Sequence, residues 1–128
     1  MFTAQRISLS SVAVPLVAAS LAVLDTIESQ DILKNVKTVG ETLASGIAAI
    51  DHPLLLGVRG SGLWLAAVLT QAKAPVVTTT AREAGFLVNA VQPDAVRLAP
   101  PLILTQAEAA EFVAALPAIL ARADEQEA

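Results

Sequence analysis

One stretch constrains the architecture more than any other. Between residues 31 and 50, Ile32, Val36, Val39, Leu43, Ile47 and Ile50 recur every three or four positions. A helix gathers such residues into one apolar stripe that has to be covered. Asp31 stands where an N-cap or first-turn acid is expected, and Asp51-His52-Pro53 ends the helix because the residue before a proline disfavours the α region. Two strands are expected next, over residues 54–59 and 63–69. Between them lies Arg59-Gly60-Ser61-Gly62, whose glycines permit the positive φ of a tight turn or bulge.

The remaining elements follow from turn and cap chemistry. Residues 74–84 suit a short helix, with Pro75 in its first turn and Gly85 as its stop, although Thr78-Thr79-Thr80 is poor helix material. Strands are expected over 86–89 and 95–99, separated by the turn residues Gln92-Pro93-Asp94. Pro100-Pro101 breaks the second strand. Thr105-Gln106-Ala107-Glu108 is a capping-box sequence. It opens a last helix to about Arg122, kinked at Pro117, and residues 124–128 read as a frayed tail. The order α, α, β, β, α, β, β, α is that of an α+β domain with helices packed on one face of a small sheet.

The N-terminal run is ambiguous by composition. Residues 7–24 carry no charge over 18 positions, short of the roughly 20 apolar residues a membrane span needs. A secretory signal is a rival, with Arg6 ahead of the run and Ala18-Ala19-Ser20 near its end. The helical spacing of Val14, Val17, Leu21 and Leu24 favours a buried helix over both.

Composition excludes several function classes. With 128 residues, one domain is the expected count. The absence of cysteine removes disulfide scaffolds and cysteine-ligated metal sites, and a single histidine leaves no histidine cluster for a metal. A net charge of −4 argues against a nucleic-acid partner held through phosphates. Charged residues are only 16% of the chain, against about 25% typically. The mean hydropathy is +0.64, so part of the surface is expected to be covered by another chain or domain.

Arg97 is the residue most suggestive of chemistry. It is the one charge in AVRLAPPLIL (95–104), and strand alternation sets it opposite Val96 and Leu98. A guanidinium in such surroundings calls for a carboxylate or phosphate, or else it is paired structurally or extends its head to water. Arg59 has the same two readings, with a structural pair favoured. Gly60-Ser61-Gly62 lacks the longer glycine fingerprint of a phosphate loop. His52 fits a helix end better than a catalytic role, and Lys34, Lys37 and Lys73 read as solvated or loop lysines.

Four stretches carry a family resemblance: LAVLDTIE (21–28), NVKTVGETLASGIAAIDHPLLLGVRGSGLWLAAVL (35–69), AGFLVNAVQPDAVRLAPPLILT (84–105) and EFVAALPAILARA (111–123). In order and spacing the chain resembles the C-terminal part of acetylornithine aminotransferases, class III pyridoxal-phosphate-dependent enzymes of the fold-type-I group. Ornithine and 4-aminobutyrate aminotransferases share the general pattern. The resemblance implies a linker helix followed by a small mixed sheet covered by helices, the small domain that packs on a large cofactor-binding domain. Residues 1–14 are then an unrelated or degenerate leader, 15–28 the linker helix and 29–128 the small domain.

The family's arginine in R-x-x-P-P-L, which binds a substrate carboxylate, falls on Arg97. Asn89 and Gly85 also fall on family positions, with a structural role near the mouth of the site. Nothing matches the family's Schiff-base lysine, the aspartate that pairs with the pyridine nitrogen, or the phosphate-holding loops. SLSSVAVP (8–15) keeps only the proline of the family's Thr-Phe-Gly-Gly-Asn-Pro segment, and Ser61 stands where the usual VRGRG has its second arginine. The resemblance therefore implies an isolated C-terminal domain from a truncated or split gene, cytoplasmic, with no cofactor held alone. The complete family enzyme uses pyridoxal phosphate to move an amino group between N-acetylornithine and 2-oxoglutarate in arginine biosynthesis. The expected partners are a small carboxylate and an aminotransferase large domain or a second copy of the chain, with no nucleic acid or membrane. The other open reading is a self-associating carboxylate-binding or protein-interaction module without catalysis.

Overall fold

The computed structural model describes residues 9–126. Its elements run α1 (Leu9–Ser29), α2 (Ile32–Ala48), β1 (Leu55–Ser61), β2 (Trp64–Leu69), α3 (Ala74–Glu83), β3 (Asn89–Gln92), β4 (Ala95–Leu98) and α4 (Gln106–Asp124). The element order and the α+β class are those expected from the sequence. The strands form one sheet in the order β1-β2-β4-β3, and every pairing is antiparallel, so the sheet is not the mixed one expected. The consecutive pairs β1–β2 and β3–β4 each close through a short turn, a connection that only antiparallel neighbours can use, while α3 carries the chain from β2 to β3.

The chain divides into two compact units at the Leu33–Lys34 boundary. In the first, α1 includes Pro15 and is the one described helix long and apolar enough, by length and composition, to cross a membrane. Its Val14, Val17, Leu21 and Leu24 are exposed, which corrects the buried-helix expectation. Val12, Leu16 and Val23 are exposed as well, so the apolar side chains run around the helix instead of forming one stripe. The start of the expected 1–14 leader lies outside the described residues. Asp31 does not cap α2 from an extended conformation. It takes the left-handed region at φ 50°, which aspartate tolerates better than most residues, while its N–H bonds to the Glu28 carbonyl at 3.3 Å.

In the second unit the expected stripe is the centre of the core. Val39, Leu43 and Ile47 of α2 are buried, with Val36 and Ile50 packed beside them. Leu65 and Leu69 of β2 and Val96 and Leu98 of β4 belong to the same core, as do Val77 of α3 and Leu116, Ile119 and Leu120 of α4. Helices α2, α3 and α4 therefore cover one face of the sheet. Gly40 lets α2 approach the β1–β2 turn: a Cβ there would stand 2.9 Å from the Gly62 Cα. That turn is Gly62-Leu63, one step later than the expected Gly-Ser-Gly, because Ser61 already pairs with Trp64. Gly62 has φ 56° and Leu63 a negative φ, the sign pattern of a type II′ hairpin turn.

The strand expected at 86–89 begins at Asn89 instead. Helix α3 ends in a Schellman motif: Phe86 N–H bonds to Ala81 O at 2.9 Å and Gly85 N–H to Arg82 O at 3.0 Å, with Gly85 at φ 93°. Phe86 is committed to that cap and to an edge-on contact with Phe112, centroids 5.3 Å apart, so pairing starts three residues on. The threonine run is helical despite its poor propensity, with Val77, Thr80 and Ala81 buried and the hydroxyls of Thr79 and Thr80 turned back onto the carbonyls of Pro75 and Val76.

The capping box at α4 is complete, with Glu108 N–H donating to Thr105 Oγ1 and Thr105 N–H to Glu108 Oε2. The helix runs through Pro117 to Asp124. Asp124 is no frayed tail: Lys73 Nζ donates to its carbonyl at 2.7 Å and lies 3.4 Å from Oδ1. Asn35 of α2 donates to the carbonyls of Leu102 and Leu104, which holds down the segment after the two prolines.

Candidate functional site

The second face of the sheet carries the candidate site. Strand register lines up Arg59 with Ala66, Ala66 with Arg97, and Arg97 with Asn89, one row across all four strands. Residues opposite one another share a face, and so do residues two apart along a strand. Trp64 and Val68 therefore stand on this outer face with Ala66, while Leu65, Ala67 and Leu69 turn into the core. On β4 the same alternation turns Val96 and Leu98 inward and Arg97 outward, as the sequence suggested.

Arg97 is half-buried, and its guanidinium lies over the Trp64 ring, 5.1 Å from the centroid. This is cation–π geometry. Among the described residues the guanidinium makes no hydrogen bond or ion pair. Arg59 is exposed, and its Nη2 donates to Gln92 Oε1 at 3.2 Å. Both arginines, with Gly60, Trp64, Leu65, Ala66 and Val91, line a cleft of about 390 Å³. Among the described residues no carboxylate lines it. Ala66 between the two arginines leaves the floor low, so the cleft presents two cations and one aromatic face to whatever enters.

The other sequence candidates lie elsewhere. His52 is half-buried after α2, and its Nδ1 accepts from Leu54 N–H at 3.1 Å, a structural turn contact. Lys34 and Lys37 are exposed on α2. Asn89 is exposed at the start of β3, in the row of Arg97, and Gly85 serves the α3 cap. Trp64 was not singled out in the sequence, because its meeting with Arg97 depends on the pairing of β2 with β4. Gln92, read only as a turn residue, also contributes the partner of Arg59.

A second hollow of about 400 Å³ lies on the other side, lined largely by apolar residues including Leu43, Phe86, Leu98, Leu104 and Phe112. Glu108 stands at its border, its carboxyl held below the usual range by the Thr105 backbone N–H and hydroxyl. Among the described residues no group of three or more metal-ligating side chains comes together.

The chain matches the aminotransferase class-III family model over residues 13–120. It is 50% identical over 108 residues to the acetylornithine aminotransferase of Mycolicibacterium smegmatis, a match covering 84% of this chain and 28% of that protein. It is 51% identical over 106 residues to that of Mycobacterium tuberculosis H37Rv, covering 83% and 26%. The chain thus spans about a quarter of the length of the curated relatives it matches. Among solved structures, a pyridoxal-phosphate-bound amine transaminase from an uncultivated Pseudomonas species superposes with a TM-score of 0.77 at 33% identity, covering 83% of this chain and 27% of that one.

Class III aminotransferases depend on pyridoxal phosphate. The residues present here do not fit that group. The sequence has three lysines: Lys34 and Lys37 are exposed on α2, and Lys73 is tied to Asp124. None lines the Arg97 cleft, nor does an aspartate that could pair with a pyridine nitrogen. The matched region, half-identical relatives and superposed fold together place the chain in the class III aminotransferase family.

Proposed function

We propose that this chain supplies the C-terminal small domain of an acetylornithine-type aminotransferase, with Arg97 holding a substrate carboxylate. One observation carries the reading. The Arg97 guanidinium lies over Trp64 in a cleft where no acid among the described residues meets it. Its planar fork matches a carboxylate in two parallel hydrogen bonds, and the ring beneath limits its rotation. A guanidinium already held in place orients an amino or oxo acid at less entropic cost than a free side chain would.

In this reading residues 15–28 are the linker helix and 29–128 the small domain, working in the cytoplasm. The reaction it serves moves an amino group between N-acetylornithine and 2-oxoglutarate, in arginine biosynthesis. The partner is an aminotransferase large domain or a second copy of the chain. The exposed apolar side chains of α1 and the exposed Leu56, Leu87 and Ile103 supply surface for such contacts. No lysine stands in the cleft, so the chain alone does not transaminate. Turnover by the purified chain, given cofactor, acetylornithine and 2-oxoglutarate, would refute that part.

The carboxylate reading is tested by titrating glutamate into the chain and into Arg97→Lys while following the fluorescence of Trp64, the one tryptophan present. A saturable change in the chain that weakens about tenfold in the variant supports it. Equal responses in both remove it. The exposed apolar side chains favour a second reading, a non-catalytic carboxylate-binding module that self-associates. A single large-domain partner captured in defined stoichiometry would displace it.

A further inference from the structure

We propose that Arg59 is a second anion-binding residue of the cleft, so that its ligand is a short dicarboxylate held by Arg97 at one end and Arg59 at the other. The inference rests on the carboxylate reading of Arg97 and extends it to the other side of the same row. Arg59 and Arg97 are both register partners of Ala66. Their Cα atoms are therefore two strand spacings apart, about 9–10 Å. In their row only the methyl group of Ala66 stands between them, and both side chains rise from the same face.

Charge makes the pair unusual. The chain carries a net −4, yet these two cations share a cleft that no carboxylate of the described residues lines. Arg59 has only a neutral partner, Gln92 Oε1 at 3.2 Å. Gln92 sits on β3 and Arg59 on β1, the two edges of the sheet. For the two side chains to meet, Arg59 must lean inward over β2, toward Arg97, and Gln92 must reach back over β4. Two guanidinium groups brought onto one face repel each other, and an anion with two charged ends relieves both at once. A neutral amide is also an easily exchanged partner, since a carboxylate takes its place with a charge-assisted bond.

The test compares succinate with butyrate, acids of equal chain length with two carboxylates and one. Each is titrated into the full chain at constant ionic strength, following the indole N–H resonance of Trp64 by NMR. Succinate should bind about fivefold more tightly than butyrate, the upper range for an exposed ion pair. Arg59→Gln should abolish that advantage and leave butyrate unchanged. Gln92→Glu should do the same with Arg59 intact, because the new carboxylate occupies the guanidinium. Arg97→Lys should weaken both acids. If Arg59→Gln and Gln92→Glu leave the succinate-to-butyrate ratio as it was while Arg97→Lys weakens both, the Arg59 proposal fails and the Arg97 reading stands. If neither acid moves the resonance in the unaltered chain, both fall together.

Discussion

Replacing Gly40 with alanine sets two opposing effects against each other, and the structure decides between them. Alanine is a better helix former than glycine by about 1 kcal/mol, and Gly40 lies in the interior of α2. On propensity alone the variant should be more stable. The added Cβ, however, would press on the Gly62 carbonyl and stand 2.9 Å from its Cα. Those are backbone atoms of a two-residue turn, with no rotamer to yield. One helical turn earlier on the same face of α2, Val36 also crowds the turn, since a Cβ on Gly62 would meet Val36 Cγ1 at 2.8 Å. Overpacking of this kind costs about 1–3 kcal/mol, and here the backbone contact puts it at the upper end. Subtracting the helix gain leaves a net loss of about 1–2 kcal/mol. For a unit of this size that lowers Tm by about 5–15 °C. The assay is a thermal melt by circular dichroism, with Gly57→Ala as the control. Gly57 has no atom within 4 Å of a built Cβ, so its variant should stay within about 0.5 kcal/mol of the parent. A Gly40→Ala melt equal to or above the parent's would refute the packing argument and, with it, the placement of the hairpin that carries Arg59 and Trp64.

Three further outcomes follow from local contacts. Thr105→Ala removes the hydroxyl that accepts from Glu108 N–H and donates to Glu108 Oε2, and should cost about 1 kcal/mol in a denaturant melt. The carboxyl of Glu108 is held below its unfolded value by the Thr105 backbone N–H, so its contribution is present above the ordinary carboxylate range and fades as pH falls through the lowered value. The stability gap between the chain and Glu108→Gln should accordingly close in acid; a gap that widens on acidification would contradict the assignment. Lys73→Met removes the two contacts to Asp124 that fasten the end of α4, and should cost about 1 kcal/mol while speeding amide exchange over the last turn of that helix.

The fold was legible where local rules and packing agree. The α2 stripe, the α4 capping box, the α3 boundaries and the order of all eight elements could be read before the structure was seen. Errors fell where one residue had two possible uses. Phe86 has strand chemistry, but the helix stop at Gly85 recruits its N–H, and the strand moves to Asn89. Glycines 60 and 62 both permit positive φ, and only the pairing of Ser61 with Trp64 decides which one turns the chain. Asp124 looked like a tail because its partner, Lys73, is 51 residues away. The candidate site was half legible. A lone charge in AVRLAPPLIL made Arg97 a candidate, but its row with Ala66 and Arg59 depends on strand register across two pairings, which periodicity along one strand does not contain.

The central claim is that Arg97 holds a carboxylate over Trp64, and a crystal structure of the chain grown with glutamate tests it most directly. The account predicts a carboxylate with both oxygens within hydrogen-bonding distance of the Arg97 guanidinium nitrogens, beside the indole ring. Glutamate bound away from the cleft, or Arg97 paired with an acid of the protein in its place, would contradict it.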